Sequence, residues 1–193
     1  MFNGLIKGAA ISLLCLTGIT GTASAQSADA SELSAEELEE LFKTQKTRGL
    51  VLAPTNPSDN TGATDTAANA DVPAETYVEL APEEQVQVQI SFDFDSSALR
   101  EDQKPKLATL CQVMQTVDVG VFRVVGHTDT SGSAEYNERL SLLRAQEVKR
   151  FLVGDCGIAE TRLEAVGVGE AFPLDKADPE GDINRRVEFQ ALS

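Results

Sequence analysis

Apolar residues recur every two residues in some segments of the chain and about every 3.6 residues in others, and this period predicts the type of each element. Val86, Val88, Ile90 and Phe92 alternate with polar residues, as in a half-buried strand, whereas the unbroken apolar run 121–125 indicates a strand buried on both faces. In chain order, the pattern predicts a strand at 86–92, a helix at 105–117, a strand at 121–125, a helix at 133–152, and strands at 162–168 and 186–192. This β-α-β-α-β-β order with short connections predicts an α+β fold in which helices pack on one face of a mixed sheet.

The residues before the first of these strands have too few apolar positions to fill a core of their own. Residues 1–25 contain a Lys near the start, an apolar run and the sequence Ala23-Ser24-Ala25, which is typical of a cleavable secretory signal. Ser34 and Glu37 form a capping box that predicts a short helix to about Lys46. The Ala-, Thr-, Asp- and Pro-rich stretch that follows predicts a disordered linker, because it buries too little apolar surface to offset chain ordering. The predicted organisation is a signal peptide at 1–25, a helix and linker at 26–82, and a folded domain at 83–193.

Charge and residue content disfavour several classes of function. The formal net charge of −15 counts against nucleic acid as a partner, because phosphates favour surfaces of the opposite sign. His127 is the only histidine, and no suitably spaced Cys completes a metal site, so we expect no metal and no cofactor. No nucleophile with a base and no pair of carboxylates can be assembled around this histidine, so we expect no enzyme activity. The glycines of 167–170 lack the context of a phosphate-binding loop and predict a tight turn.

Two cysteines remain after the predicted signal cleavage, Cys111 and Cys156. An even number of cysteines in an oxidising compartment is compatible with one disulfide. Cys111 also falls on the apolar stripe of its predicted helix, where free cysteines are often buried. The residues therefore leave two interpretations, a Cys111–Cys156 bridge or two separate buried thiols.

One acidic and one basic residue are placed where they can form a binding site. Asp129 lies in a Gly- and Ser-rich turn before a predicted helix, and Arg144 lies on the apolar side of that helix, together with Asn137. A guanidinium in such a position is costly unless a carboxylate or a ligand compensates it. Asp129 and Arg144 therefore indicate a site for a small zwitterionic ligand, or an ion pair that fixes the loop.

A set of short motifs resembles the OmpA-like peptidoglycan-binding domain, which occurs in OmpA proteins, peptidoglycan-associated lipoproteins and flagellar stator anchors. The resemblance covers residues 83–193, and the motifs follow one another in the order and at the spacing of that family. They are Phe92-Asp93-Phe94-Asp95, Val125-Gly126-His127-Thr128-Asp129, Gly132-Ser133, Tyr136-Asn137, Leu140-Ser141, Arg144-Ala145, Gly157-Ile158, Gly167-Val168-Gly169-Glu170 and Asn184-Arg185-Arg186-Val187-Glu188.

The resemblance implies non-covalent binding of the diaminopimelate in the peptidoglycan stem peptide. Asp129 would receive the ammonium group and Arg144 would clamp a carboxylate, as charge-assisted pairs. Arg185 would lie at the rim of the pocket. Side chains alternate across a strand, so only one residue of the pair Arg185-Arg186 can face the pocket. The remaining pocket residues, which would offer hydrogen-bonding groups, are Thr128, Asn137 and Asp95.

Two functions follow from this resemblance as expectations. The first is a periplasmic protein, associated with the outer membrane, that links the cell wall and the envelope and meets an envelope protein through its N-terminal helix. The second is a periplasmic partner-binding or regulatory protein that uses the same fold without binding peptidoglycan. Binding to purified cell-wall sacculi distinguishes the two.

Overall fold

The computed structural model of the protein describes residues 28–47, 77–93 and 96–192. The predicted signal peptide, the predicted linker between 48 and 76 and the candidate site residue Asp95 lie outside the described residues. Within the described part, the predicted α+β fold is confirmed, with a mixed sheet and helices on one of its faces. None of the helices in these ranges is long and apolar enough to cross a lipid bilayer.

The strands form one sheet in the order β1-β2-β5-β3-β4. β3 and β4 are parallel, whereas β5 is antiparallel to both of its neighbours, β2 and β3. The strands are β1 (Ala28–Asp29), β2 (Val86–Val88), β3 (Val121–Gly126), β4 (Leu163–Gly167) and β5 (Val187–Leu192). The helices are α1 (Ala35–Thr47), α2 (Ala108–Thr116) and α3 (Ala134–Gly154). Because β5 pairs Val187 with Gly126, the residues before β5 lie beside the loop that follows β3.

Alternation along the central strands divides the sheet into two buried layers. Phe122 and Val124 of β3 and Phe189 of β5 face the helices and form the main core with them. A smaller cluster on the opposite face contains Val125 of β3 together with residues of other segments, which are Tyr77, Val166, Val168 and Phe172. Coverage of both faces explains why all of β3 after Val121 is buried, as its unbroken apolar run predicted.

β2 differs from its prediction in length and in burial. The alternating pattern predicted a half-buried strand at 86–92, but ladder pairing extends only over Val86–Val88, and all of these residues are buried. The alternation predicted Gln87 on an exposed face, but it is only 7% exposed. It lies on the face of the sheet away from the helices, which also carries the second buried cluster.

α1 confirms the predicted N-terminal helix, and it packs in the same core as the C-terminal elements. Ser34 and Glu37 form the predicted capping box, with the Ser34 amide donating to a Glu37 oxygen at 3.0 Å. Leu38 and Phe42 are fully buried, and the Phe42 ring meets Phe122 edge to face, with centroids 5.0 Å apart. The side of α1 that carries Leu38 and Phe42 is thus covered by this chain.

The Gln45 side chain extends the same contact to the backbone of the sheet. Its oxygen accepts from the Ala191 amide at 2.7 Å, and its nitrogen donates to the Glu84 carbonyl at 2.7 Å. β5 runs beyond the three residues that pair with β2, so its edge would otherwise be open at Ala191. Gln45 therefore provides the hydrogen-bond acceptor for the Ala191 amide that a neighbouring strand would otherwise provide.

A disulfide joins Cys111 and Cys156, whose Cα atoms are 5.5 Å apart. Of the two interpretations of these cysteines, the bridge is confirmed. It ties α2 to the segment that follows α3.

Candidate functional site

Two glycines let α3 lie directly on the ends of β3 and β4. A Cβ atom on Gly126 would overlap the Ser141 carbonyl oxygen, and one on Gly167 would overlap the Leu142 amide nitrogen. Ser141 adds a hydrogen bond to this contact, since its hydroxyl accepts from the Gly169 amide at 2.9 Å. The close approach fixes the distance of α3 from the sheet. It therefore also fixes the position of Arg144 relative to the loop that begins after Gly126.

The loop between β3 and α3 is held by the first turns of the helix. The Ser133 hydroxyl caps α3 by accepting from the Tyr136 amide, so the helix begins as predicted. The Asn137 amide nitrogen donates to the carbonyls of Asp129 at 3.2 Å and Ser131 at 3.1 Å. It also donates to the carboxylate of Glu170, in the turn after β4. Asn137 therefore positions Asp129 from behind the loop.

Asp129 forms an ion pair with Arg185. Nη1 of Arg185 lies 2.6 Å from Oδ2 of Asp129, while Oδ1 accepts from the Ser131 amide at 2.9 Å. Arg185 also donates to Asp182, three residues before it. Burial raises the pKa of Asp129, but the hydrogen bonds from Arg185 and Ser131 outweigh burial and hold this pKa below its usual value of 3.8. Asp129 is therefore ionised at neutral pH.

Arg144 is buried and stacked, as its position on the apolar side of the helix predicted. It is 8% exposed, and its guanidinium carbon lies 4.7 Å from the centroid of the Phe92 ring. Its Nε donates to the Ser96 carbonyl at 3.3 Å. Among the ion pairs of the described residues, Asp129 is joined to Arg185 and not to Arg144. The interpretation of Asp129 and Arg144 as a mutual ion pair is therefore wrong.

Arg144 and Arg185 line one cleft of about 320 Å³. The other lining residues are Gln89, Ile90, Ser91, Phe92, Lys106 and Asp182. Lys106 donates to the Gln89 carbonyl at 2.8 Å, which holds its ammonium group near the cleft. Three cations thus surround one cleft, with the Asp129 carboxylate beside it, so the site suits a ligand that carries carboxylates and an ammonium group.

The predicted site residues take different places in the structure. Arg144 and Arg185 line the cleft, and Asp129 is joined to it by its ion pair with Arg185. Thr128 and Asn137 are buried in and behind the loop, and the Thr128 amide donates to the Gly169 carbonyl at 2.9 Å. Asp95 lies outside the described residues. The roles of all these residues in binding a ligand stay predictions.

Six residues that line the cleft were not predicted from the sequence as site residues: Gln89, Ile90, Ser91, Phe92, Lys106 and Asp182. The alternation of β2 continues to Phe92 and predicts a core position of a longer strand there. Lys106 and Asp182 are charged residues outside any apolar repeat, so periodicity does not mark them. Asp182 does precede Arg185 by three residues, a spacing that suits an ion pair within one turn.

Comparisons with known proteins match the C-terminal part of the chain to one family. A model of the OmpA family matches residues 91–186. Outer membrane porin F of Pseudomonas aeruginosa is 39% identical over 142 residues, which are 69% of this chain and 41% of that protein. The peptidoglycan-associated lipoprotein of Legionella pneumophila is 31% identical over 119 residues, which are 61% of this chain and 65% of that protein. The chain spans less than two thirds of the length of either relative.

Among solved structures, one that is similar to this chain is the peptidoglycan-associated lipoprotein of Burkholderia pseudomallei. It is 30% identical, covers 52% of this chain and 86% of its own, and superposes with a TM-score of 0.45. The family match identifies an OmpA family domain at residues 91–186 of the chain. The resemblance of its motifs to that family is confirmed.

Proposed function

We propose that the domain binds peptidoglycan without cleaving it, and that the bound group is the diaminopimelate of the stem peptide. The observation that carries the proposal is the Arg144 guanidinium, which is buried, lines an open cleft and has no carboxylate in an ion pair among the described residues. A buried cation in this state is costly, so a ligand carboxylate is the expected counter-charge. Support also comes from relatives named peptidoglycan-associated lipoproteins.

The geometry suits the two charges at the end of a diaminopimelate side chain. The Arg144 guanidinium lies over the Phe92 ring, so the ring restrains it while its other donors remain available to a carboxylate. Asp129 has accepted one bond on each oxygen, and a carboxylate offers about four acceptor sites. The ammonium group can therefore bond Asp129 beside Arg185. Thr128, Asn137 and Asp95 complete the proposed set of hydrogen-bonding residues.

We infer a location in the periplasm, because the predicted secretory signal would export the chain and because the domain can contact the cell wall there. The names of the relatives include outer-membrane and peptidoglycan-associated proteins, which supports an envelope location. If an envelope protein binds α1, it meets the acidic outer side of this helix, because Leu38 and Phe42 are covered.

Co-sedimentation with purified sacculi tests the proposal. Asp129→Ala and Arg144→Ala should each weaken binding at least about tenfold, near 1.5 kcal/mol, because each leaves a ligand charge unpaired. Matched controls are Arg139→Ala, which removes an exposed arginine of the same helix, and Asp155→Ala, which removes an exposed aspartate. Both controls should pellet as the parent does.

Two results would count against the proposal in different ways. If the site variants are folded and pellet as well as the parent, the assignment of Asp129 and Arg144 is wrong. If the folded parent itself stays in the supernatant, peptidoglycan is not the ligand, and the partner-binding function becomes the better one.

A further inference from the structure

The face of the sheet opposite the helices carries a second cleft, of about 190 Å³. It lies between the segment that leads into β2 and the loop after β4, and its lining includes Tyr77, Leu80, Phe172, Leu174, Lys176 and Arg186. Side chains alternate across the strand at the start of β5, so Arg185 faces the first cleft and Arg186 faces this one. The two clefts are therefore separate sites.

Arg186 is buried in this cleft, and two of its nitrogen donors have no hydrogen-bond partner among the described residues. It is 4% exposed, and its Nη2 donates to the Phe172 carbonyl at 3.3 Å. Its Nε and Nη1 are buried and have no hydrogen-bond partner in the described part of the chain. Unpaired buried donors on a charged group are costly, so an acceptor from outside this set of residues is expected.

A buried carboxylate two residues along the same strand, that of Glu188, is already engaged by other residues. Its Oε2 accepts from the Tyr77 hydroxyl at 2.9 Å and lies 3.3 Å from Nε2 of His127. Its Oε1 accepts from the Gln190 amide at 2.9 Å. Glu188 therefore lowers the cost of burying the Arg186 charge through space, but it leaves Nε and Nη1 without an acceptor.

The mouth of the cleft has its own pair of charges. Nζ of Lys176 lies 3.8 Å from Oε1 of Glu79. The negative charge of Glu79 also stabilises the Arg186 charge through space, but it leaves Nε and Nη1 of Arg186 without a hydrogen-bond partner among the described residues. The walls between mouth and floor are apolar and come from Leu80, Phe172 and Leu174. An occupant of this cleft needs an anionic oxygen at its inner end and a short apolar body.

We propose that this second cleft binds a carboxylate group on a short apolar chain, through Arg186. The volume is below the roughly 300–1,000 Å³ of sites for drug-sized ligands, so the occupant is small or is the end of a larger molecule. The same chemistry comes from two sources, a free short-chain acid or the carboxyl terminus of a peptide. The site does not depend on the function proposed for the first cleft.

An NMR titration of the protein that begins at residue 26, in buffer free of carboxylates, tests the site with propionate. The Arg186 Nε–H signal and the backbone amides of Phe172 and Leu174 should shift and saturate. Propionamide has the same shape without the charge, so it should bind at least about tenfold more weakly. N-acetylalanine distinguishes the sources, because its saturation of the same signals identifies a peptide terminus and its failure identifies a free acid.

Two variants connect the response to the cleft. Arg186→Gln should abolish it, and Leu174→Trp should abolish it by filling the cleft while Arg186 stays in place, which keeps the test valid if the first variant fails to fold. Leu174→Trp should still pellet with sacculi, since it lies on the other face. The proposal is overturned if propionate gives no saturable shift, as when water satisfies Arg186. It is also overturned if propionamide binds equally or if Leu174→Trp responds as the parent does.

Discussion

Nη1 of Arg185 lies 2.6 Å from Oδ2 of Asp129, so the carboxylate proposed to receive a ligand ammonium already holds a cation of the chain itself. Arg185 is only partly buried, and it has a second partner in Asp182. It can therefore keep a counter-charge if a ligand weakens its contact with Asp129. The pair holds the site ionised and in place before a ligand arrives.

The first prediction concerns the pKa of Asp129 in the folded protein. Arg185→Gln should raise this pKa, because burial remains while the strongest opposing hydrogen bond is lost. The carboxyl carbon of Asp129, followed by NMR across a pH titration, reports the change directly. Arg139→Gln removes an exposed arginine and is the control. An unchanged pKa in Arg185→Gln would show that the ion pair is absent in solution.

The same pair predicts the direction of the pH dependence of stability. The folded pKa of Asp129 lies below 3.8, so the unfolded chain binds the proton more readily. Its contribution to the free energy of unfolding is therefore complete above that value and is lost as pH falls through the folded pKa. Urea unfolding at a series of pH values should show a shallower acid loss in Arg185→Gln than in the parent. An equal loss of stability in acid for both proteins would show that Arg185 is not its cause.

The second prediction concerns the contact of α3 with the sheet. Gly126→Ala should lower the free energy of unfolding by about 1–3 kcal/mol or more, because the new methyl group meets the backbone of Ser141. Gly120→Ala adds the same methyl group with no atom within 4 Å, and its effect should stay within about 0.5 kcal/mol. Urea unfolding measures both. Equal midpoints for the two variants would mean that α3 lies farther from β3 than the structure has it.

Periodicity predicted the elements well because each depends on the local placement of apolar residues. α3 was expected at 133–152 and spans Ala134–Gly154, and β4 and β5 agree with their predictions within a residue. The burial of Arg144 followed in the same way, since helical spacing alone places it on the apolar side. These features need no knowledge of which strand lies beside which.

The features that the sequence did not reveal all depend on long-range pairing. Arg185 reaches Asp129 because β5 pairs with β3, and its number in the sequence says nothing about that neighbour. The second face of the sheet carries a buried cluster with residues from segments distant in sequence, which the alternation of β2 alone does not indicate. The docking of α1 was missed for the same reason: an amphipathic helix shows that it has an apolar side, but not which surface covers that side.

The third prediction concerns the disulfide. Replacing both Cys111 and Cys156 by Ser should destabilise the fold by on the order of 4 kcal/mol, because the bridge closes a loop with a sequence separation of 45. Protein purified from the periplasm should show no free thiol under denaturing conditions before reduction. Two reactive thiols, or an unchanged urea midpoint in the double variant, would contradict the bridge.

The last prediction concerns α1 as a structural part of the domain. Phe42→Ala should cost about 3–5 kcal/mol, because the Phe42 ring is fully buried against Phe122. Gln45→Ala should cost about 1–3 kcal/mol, because it leaves the Ala191 amide without its acceptor. Leu143→Ala removes a large apolar side chain that is 45% exposed, and it is the control, with an expected effect below about 1 kcal/mol.

Proteolysis gives an independent test of the same contact. If protease cuts the linker predicted between residues 48 and 76, the fragment that carries α1 should remain bound to the C-terminal fragment, because Leu38 and Phe42 fill its core. Gel filtration in native buffer should elute both fragments together, and denaturant should separate them. A C-terminal fragment that elutes alone with an unchanged urea midpoint would mean that α1 does not stabilise the domain, and its apolar side would then be free to meet another protein.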